Sequence, residues 1–392
     1  MAKASRGLAK AKEIYEDRPR RAKELKDEGK KIIGYPCIYV PIEMMTALDL
    51  VPYRIYGDIR EPITEADRGL QTAFCPIMRS AFDLGLKGKY DFLDGFVAAH
   101  SCDPQEKCMR VWLSLIKYPY THFLDIPGTL QEGSWGYFKG QLTALKKTLE
   151  SFTGKIITQT RLREAIEAHN LQRALVRELY DLRKPDPPLV SGTETLQVIK
   201  ALTSIPVEEG NDLLRQVISE VKKRKDGPQK KPARLLVWGN TMDDIAHVET
   251  IEGDEANIVM DDHCGGSRAY RVDVELTEDL LDGLTDYYLV KLIPPRTFRE
   301  AVLGETRKDW AADLESRFGY IGEYIKEWNV NGVIMQLVRY CDPHGFEQPA
   351  IKDYFDSLGI PNVYLEHDYS EGALAPLRTR AQGFLEVIGQ KA

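Results

Sequence analysis

The chain has 392 residues, of which 43% are hydrophobic and 29% charged, and this length and balance suggest a globular protein of two domains. Its formal net charge of −7 argues against a general nucleic-acid-binding protein, which would present a basic face. Residues 1–30 contain no apolar stretch, and no apolar run approaches the roughly 18 residues of a membrane span. We therefore expect a cytoplasmic protein that binds neither nucleic acid nor membranes.

The first part of the chain alternates short apolar runs with amphipathic ones, as do parallel strands joined by helices. Residues 1–30 are expected to form one or two charged helices. The predicted strands of this part are residues 31–35, 51–56, 92–99 and 121–126. Helices are expected to begin near Pro41, Pro76 and Pro104, because proline is favoured in the first turn of a helix.

The same alternation returns after a long helical region. Its predicted strands are residues 235–238, 257–260, 333–338 and 363–365. We therefore predict the α/β class, with two Rossmann-like parallel-sheet domains, a helical N-terminus and a helical connecting region. The predicted limits are 1–30 for the N-terminal segment, 31–155 for the first α/β domain, 156–231 for the helical connector and 232–392 for the second α/β domain.

Two Cys-Asp-Pro sequences, which begin at Cys102 and Cys341, each follow a predicted buried strand, and Cys75 directly precedes Pro76. Ligands of open α/β sheets gather at the carboxyl ends of strands, and a helix start favours a thiolate. Three such thiolates could hold a 4Fe–4S cluster and leave one iron open to substrate. A catalytic zinc would suit the same donors, and buried cysteines more often are small core residues.

The other three cysteines have different surroundings. Cys37 follows the first strand and is either a fourth ligand or a neighbour of the ligands, whereas Cys264 lies in a glycine-rich turn and Cys108 inside a helix. No Cys-x-x-Cys pair is present, so any metal site must be assembled from distant segments. P-loop, dinucleotide-binding and Gly-x-Ser-x-Gly motifs are also missing from the sequence.

Several stretches match a known family in their order and spacing. They are Tyr39-Val40-Pro41-Ile42-Glu43, Cys75 with Arg79-Ser80, Leu84-Gly85-Leu86, Asp91-Phe92-Leu93-Asp94-Gly95, Cys102-Asp103, Trp112, Asp125-Ile126-Pro127, Cys341-Asp342-Pro343 and Arg378-Thr379-Arg380. Through the order and spacing of these stretches, the chain resembles the family of the 2-hydroxyacyl-CoA dehydratases and ATP-dependent benzoyl-CoA reductases. It is most like the smaller cluster-bearing subunit of the benzoyl-CoA reductases.

The resemblance implies a 4Fe–4S cluster held by Cys75, Cys102 and Cys341 between two α/β domains. It also implies single-electron reduction of a CoA thioester. In the reductases the aromatic ring is reduced, whereas in the dehydratases a ketyl radical expels the 2-hydroxyl group. The implied partners are a homologous second cluster-bearing subunit and a separate ATP-hydrolysing activator that donates electrons, which agrees with the missing P-loop.

Within this framework we predict that His100 and His344 are catalytic, because both follow strands and could serve the substrate carbonyl. Arg79 and Arg268 are predicted to bind the substrate, the latter through CoA phosphates. The leading hypothesis is a catalytic-core subunit of a benzoyl-CoA-reductase-like enzyme. The alternatives are an (R)-2-hydroxyacyl-CoA dehydratase subunit, a double-cubane cluster reductase and a companion subunit without a cluster.

Overall fold

The computed structural model describes residues 7–299 and 309–389 and contains two four-stranded parallel sheets flanked by helices. The strands of the first sheet are β1 (Ile32–Tyr35), β2 (Val51–Arg54), β3 (Gly95–His100) and β4 (Tyr120–Asp125). The strands of the second sheet are β5 (Ala233–Gly239), β6 (Ala256–Asp262), β7 (Gly332–Val338) and β8 (Asn362–His367). Central strands such as β3 and β7 are buried on both faces, which explains their nearly continuous apolar sequence.

The helices of the first half are α1 (Gly7–Glu16), α2 (Pro19–Asp27), α3 (Ile42–Thr46), α4 (Pro76–Leu86), α5 (Asp103–Leu115), α6 (Ser134–Thr153) and α7 (Gln159–Asp181). Those of the second half are α8 (Gly192–Leu202), α9 (Val207–Val221), α10 (Ile245–Glu252), α11 (Leu280–Thr285), α12 (Trp310–Glu327), α13 (Asp342–Ser357) and α14 (Leu374–Gly389). Within the described ranges, no helix combines the length and the apolar character needed to cross a membrane.

The two sheets have the same strand order, β2-β1-β3-β4 and β6-β5-β7-β8, and every neighbouring pair is parallel. In each sheet the order reverses beside the first strand, between β1 and β3 and between β5 and β7. Ligands of open parallel sheets bind at such reversal points, outside the carboxyl ends of the strands. The predicted α/β class with two Rossmann-like sheets is confirmed.

Helices cover both faces of each sheet. The first sheet packs against α2, α4 and α5 on one face and against α3, α6 and α7 on the other. The second packs against α10 and α14 on one face, and its other face shares a core with α7, α8, α9, α12 and α13. Two segments pack into the core of the other half of the chain. Ala11 and Ile14 of α1 enter the second-sheet core, and residues 280–292 enter the first-sheet core. The predicted domain limits stay a prediction.

Candidate cofactor site between the two sheets

Three cysteines begin helices that follow strands of the two sheets. Cys102 is the N-cap of α5 after β3, and Cys341 is the N-cap of α13 after β7. These are the same position in the two equivalent sheets. Cys75 is the N-cap of α4, which follows β2. In each case a proline in the first helical turn sets the helix start, because its fixed φ suits the helix and its missing N–H is not needed there.

A cavity of about 110 Å³ lies where the carboxyl ends of both sheets meet. Five of the six cysteines line it, and none of the six forms a disulfide. The lining cysteines are Cys37, Cys75 and Cys102 from the first sheet, and Cys264 and Cys341 from the second. The structure therefore brings the three predicted ligands to one surface, although they are up to 266 residues apart in sequence.

The thiols of this cavity lie in an apolar environment and interact with one another. Burial raises the pKa of Cys75 to about 11. Burial also raises the pKa values of Cys102 and Cys341, and in both cases the neighbouring cysteines add to the effect. Cys108 is buried as well but does not line the cavity; its thiol donates to the Met78 carbonyl over 3.7 Å.

The arrangement differs from a preformed site for a single ion. In the part of the chain that the structure describes, no three His, Cys, Asp or Glu side chains lie close enough together to hold one metal ion. The ligands of an iron–sulfur cluster surround a core of several atoms, so they lie farther apart around a cavity.

The cavity lining also carries unpartnered hydrogen-bond donors. Five buried side-chain atoms of lining residues have no hydrogen-bond partner among the described residues, namely Arg54 Nε, Tyr56 Oη, Gln105 Nε2, Asn240 Nδ2 and Arg296 Nε. All five can donate, and only the Tyr56 hydroxyl can also accept. The sulfur atoms of an iron–sulfur cluster accept hydrogen bonds. Cysteine side chains and hydrogen-bond donors around one cavity therefore fit such a cluster.

His344 connects the lining to a buried ion pair. Its Nδ1 lies 3.4 Å from Cys341 Sγ, and its Nε2 lies 3.1 Å from Arg268 Nη1. Burial, together with Arg268, lowers the pKa of His344 well below its usual value, so the ring is neutral. Because Arg268 can only donate, Nε2 accepts and Nδ1 carries the proton. His344 therefore donates its proton toward the sulfur of Cys341.

The other three predicted site residues do not line the cavity. Arg268 is only 3% exposed and pairs with Asp262 at 2.8 Å, behind His344. His100 Nδ1 lies 2.7 Å from the Asp125 carboxylate, and Arg79 pairs with Asp67. The catalytic role of His100 and the substrate-binding roles of Arg79 and Arg268 stay predictions.

Residues 37–388 match the protein family described as 2-hydroxyglutaryl-CoA dehydratase, D-component. This chain belongs to that family.

Relatives that match this chain over more than nine tenths of its length are subunits of CoA-thioester reductases and dehydratases. The chain is 27% identical to a benzoyl-CoA reductase subunit of Thauera aromatica, over 97% of both chains. It is 26% identical to the (R)-phenyllactyl-CoA dehydratase beta subunit of Clostridium sporogenes, over 93% of this chain and 94% of the relative. It is 25% identical to the beta subunit of (R)-2-hydroxyglutaryl-CoA dehydratase from Acidaminococcus fermentans, with the same coverage.

The five lining residues with unpartnered donors were not predicted as site residues from the sequence: Arg54, Tyr56, Gln105, Asn240 and Arg296. Arg54 and Tyr56 lie at the end of a predicted strand, and Asn240 comes two residues after one. A polar residue at the carboxyl end of a parallel strand is the signal that could have identified them. Gln105 carries no such signal, because it lies inside the first turn of α5.

Proposed function

We propose that this chain is the iron–sulfur catalytic-core subunit of an ATP-dependent benzoyl-CoA-reductase-like enzyme. The observation that carries the proposal is the set of five free cysteines around one cavity where the two sheets meet. The reductase subunit from Thauera aromatica, which is related over 97% of both chains, supports the choice of reaction. The proposed substrate is accordingly an aromatic CoA thioester.

In this proposal Cys75, Cys102 and Cys341 hold a 4Fe–4S cluster. When bound there, such a cluster would supply single electrons of low potential. The chain itself carries no P-loop, so ATP hydrolysis belongs to a separate activator that acts as the electron donor. A homologous second cluster-bearing subunit is the proposed permanent partner, in line with the subunit names of the relatives.

The side chains around the cavity have two tasks in the proposed reaction. Ile77, Met78 and Pro294 give the cavity apolar walls, which exclude the water that would quench a reactive reduced substrate. His344 orients Cys341 through its Nδ1 proton. The unpartnered donors Tyr56 and Asn240 are available for the acceptor atoms of whatever fills the cavity.

The ligand assignment is tested by comparing Cys102→Ala with Cys108→Ala in protein purified without oxygen. Cys102 lines the cavity, whereas Cys108 is a completely buried core residue nearby. We expect Cys102→Ala to lose most of its iron, sulfide and visible absorbance, while Cys108→Ala keeps them. Full absorbance in Cys102→Ala would refute the assignment. About four irons per wild-type chain indicate one cubane, about eight a double cubane, and none a companion subunit.

A second candidate function is that of an (R)-2-hydroxyacyl-CoA dehydratase subunit, because two dehydratase beta subunits are related at 25% and 26% identity over most of the chain. Both candidates use the same cluster site, so only the substrate separates them. With partner subunit, activator and ATP present, we expect turnover of benzoyl-CoA. Turnover of (R)-2-hydroxyacyl-CoA alone would replace the reductase proposal by the dehydratase one.

A further inference from the structure

Arg54 is a buried arginine at the end of β2 that lines the cysteine cavity. It is only 4% exposed. Its backbone is fixed on both sides, because its N–H donates to the Thr203 carbonyl over 3.0 Å and its carbonyl accepts from Arg18 over 2.7 Å. The backbone position from which the side chain reaches the cavity wall is therefore set by the fold.

The guanidinium of Arg54 has no anionic partner within the described residues. Its Nε is buried without a hydrogen bond, and the group forms a cation–π contact with the ring of Tyr56, whose centre is 5.3 Å away. All other equally buried arginines of the described ranges have a carboxylate within 4 Å. These pairs are Arg173 with Glu43, Arg183 with Asp261, Arg234 with Asp186, Arg268 with Asp262 and Arg317 with Glu347.

A buried guanidinium stays charged, and burying a charge without an opposite charge is strongly unfavourable. The arrangement therefore calls for an anion at the cavity. Three thiolates around a 4Fe–4S core carry a net negative charge, and one-electron reduction makes that charge more negative. A fixed positive charge beside such a cluster stabilises the reduced form, because the net charge around a cluster helps to set its reduction potential.

We propose that Arg54 is the counter-charge of the cluster and raises its reduction potential, acting as a positioning residue and not as a ligand. This inference rests on the proposed function, since it requires that the cysteines hold a cluster. It goes beyond the ligand assignment, because it concerns the electrostatic environment that this chain gives to the cluster.

The experiment compares the full-length wild type with Arg54→Gln and Arg54→Lys by anaerobic redox titration with dithionite as the one-electron reductant, followed by visible absorbance and electron paramagnetic resonance. At the wild-type midpoint, we expect the ratio of reduced to oxidised cluster in Arg54→Gln to fall about tenfold, which corresponds to about 59 mV. Arg54→Lys keeps the charge and should stay within about threefold of the wild type.

Arg339→Gln is the matched control. Arg339 lies two residues before Cys341, but its side chain is 50% exposed and pairs with Glu366. Solvent screens such a charge, so this variant should keep the wild-type ratio. If the ratio of reduced to oxidised cluster also fell tenfold in Arg339→Gln, any nearby positive charge would shift the reduction potential. That result would overturn the special role of Arg54.

The possible failures have different meanings. If the wild type binds no iron, the proposed function fails and this inference fails with it. If Arg54→Gln binds iron and keeps the wild-type ratio of reduced to oxidised cluster, only the inference about Arg54 is overturned. If Arg54→Gln does not fold, Arg54→Lys decides, because a tenfold fall in this charge-preserving variant would show that packing and not charge is responsible.

Discussion

At the scale of single residues, Glu43 fixes the segment that follows β1. It is completely buried on α3 and accepts hydrogen bonds from Arg173 of α7 and from the Tyr288 hydroxyl at 2.7 Å. Burial by itself would raise the pKa of Glu43, but Arg173, His169 and Tyr288 together hold it below its usual value. One carboxylate thus joins α3, α7 and the segment that contains Tyr288. This contact holds in place the segment after β1, which also carries Cys37.

We predict that Glu43→Gln destabilises the protein by about 3 kcal/mol at pH 7, because it leaves the buried charge of Arg173 unpaired. The pKa of Glu43 is lowered on folding from about 4.3, so its stabilisation is fully present above about pH 5–6 and is lost as the pH falls through the lower folded value. The difference from the wild type should therefore stay constant from pH 7 to about pH 5 and shrink as the pH falls further toward about pH 3, as measured by urea unfolding.

The control for this prediction is Glu178→Gln. The pair of Glu178 with Lys222 is exposed, with 43% and 49% of the two side chains accessible, so the change should cost less than about 1 kcal/mol. An equal cost for both variants, or a cost of Glu43→Gln that does not depend on pH, would show that the buried pair contributes no ionic stabilisation.

The residues of the site could be predicted only in part. The cysteines carry a local signal, since Cys102 and Cys341 stand between an apolar run and a proline. The signal of Arg54 is ambiguous, because a charged residue at the carboxyl end of a short strand is typical of a solvated edge as well as of a binding site. Its burial depends on the segments that follow α1 and α8, whose residues Arg18 and Thr203 contact its backbone. Such long-range contacts cannot be derived from strand periodicity.

At the scale of elements, helix starts and strands could be predicted well, whereas some helices could not. Helix α12 is absent from the predicted elements, and two glycines, Gly319 and Gly322, lie inside it. Glycine disfavours a helix by about 1 kcal/mol per residue. The packing explains Gly322, because a Cβ there would lie 2.5 Å from the Tyr354 hydroxyl of α13. Tertiary contact therefore overrides the local preference.

Another close contact fixes the strand ends at the site. Gly239 is the last residue of β5, and a Cβ there would lie 1.9 Å from the Gln336 carbonyl oxygen of β7. The next residue, Asn240, lines the cavity and accepts from the Val338 N–H over 3.3 Å. We predict that Gly239→Ala costs about 1–3 kcal/mol and lowers the iron content by moving β5 away from β7.

The two measurements for Gly239→Ala are the melting temperature and the iron bound per chain. Gly140→Ala is the control, because Gly140 is exposed on α6 and nothing lies within 4 Å of a Cβ there. That variant should be more stable by about 0.5–1 kcal/mol and bind iron normally. Unchanged melting and iron content in Gly239→Ala would mean that the strand ends do not need this close contact.

At the scale of the whole molecule, the two sheets repeat one topology although their sequences show no clear repeat. Cys102 and Cys341 occupy the same place in that topology, after the third strand of each sheet. A core requires apolar volume and a suitable pattern more than particular side chains, so two unlike sequences can form the same sheet. The pairing of the two sheets around the cavity depends on long-range packing and could not be predicted from periodicity.

The chain passes between the two cores, so we predict that neither half folds without the other. A fragment of residues 1–231 keeps the first sheet but lacks the apolar cover from residues 280–292. That cover includes the buried side chains of Leu280, Leu284, Tyr287, Tyr288, Leu289 and Leu292. At about 2 kcal/mol each, their burial contributes on the order of 10 kcal/mol, which is as large as the net stability of a typical domain.

In calorimetry the full chain should therefore unfold in one cooperative transition, with equal calorimetric and van't Hoff enthalpies. The fragments 1–231 and 232–392 should each lack the near-ultraviolet circular dichroism of fixed aromatic side chains, and should regain it when they are expressed together. The second fragment lacks α1, whose Ala11 and Ile14 complete its core. A fragment 1–231 that melts cooperatively by itself would show instead that the first domain is independent, and that residues 280–292 only attach to a core that is already stable.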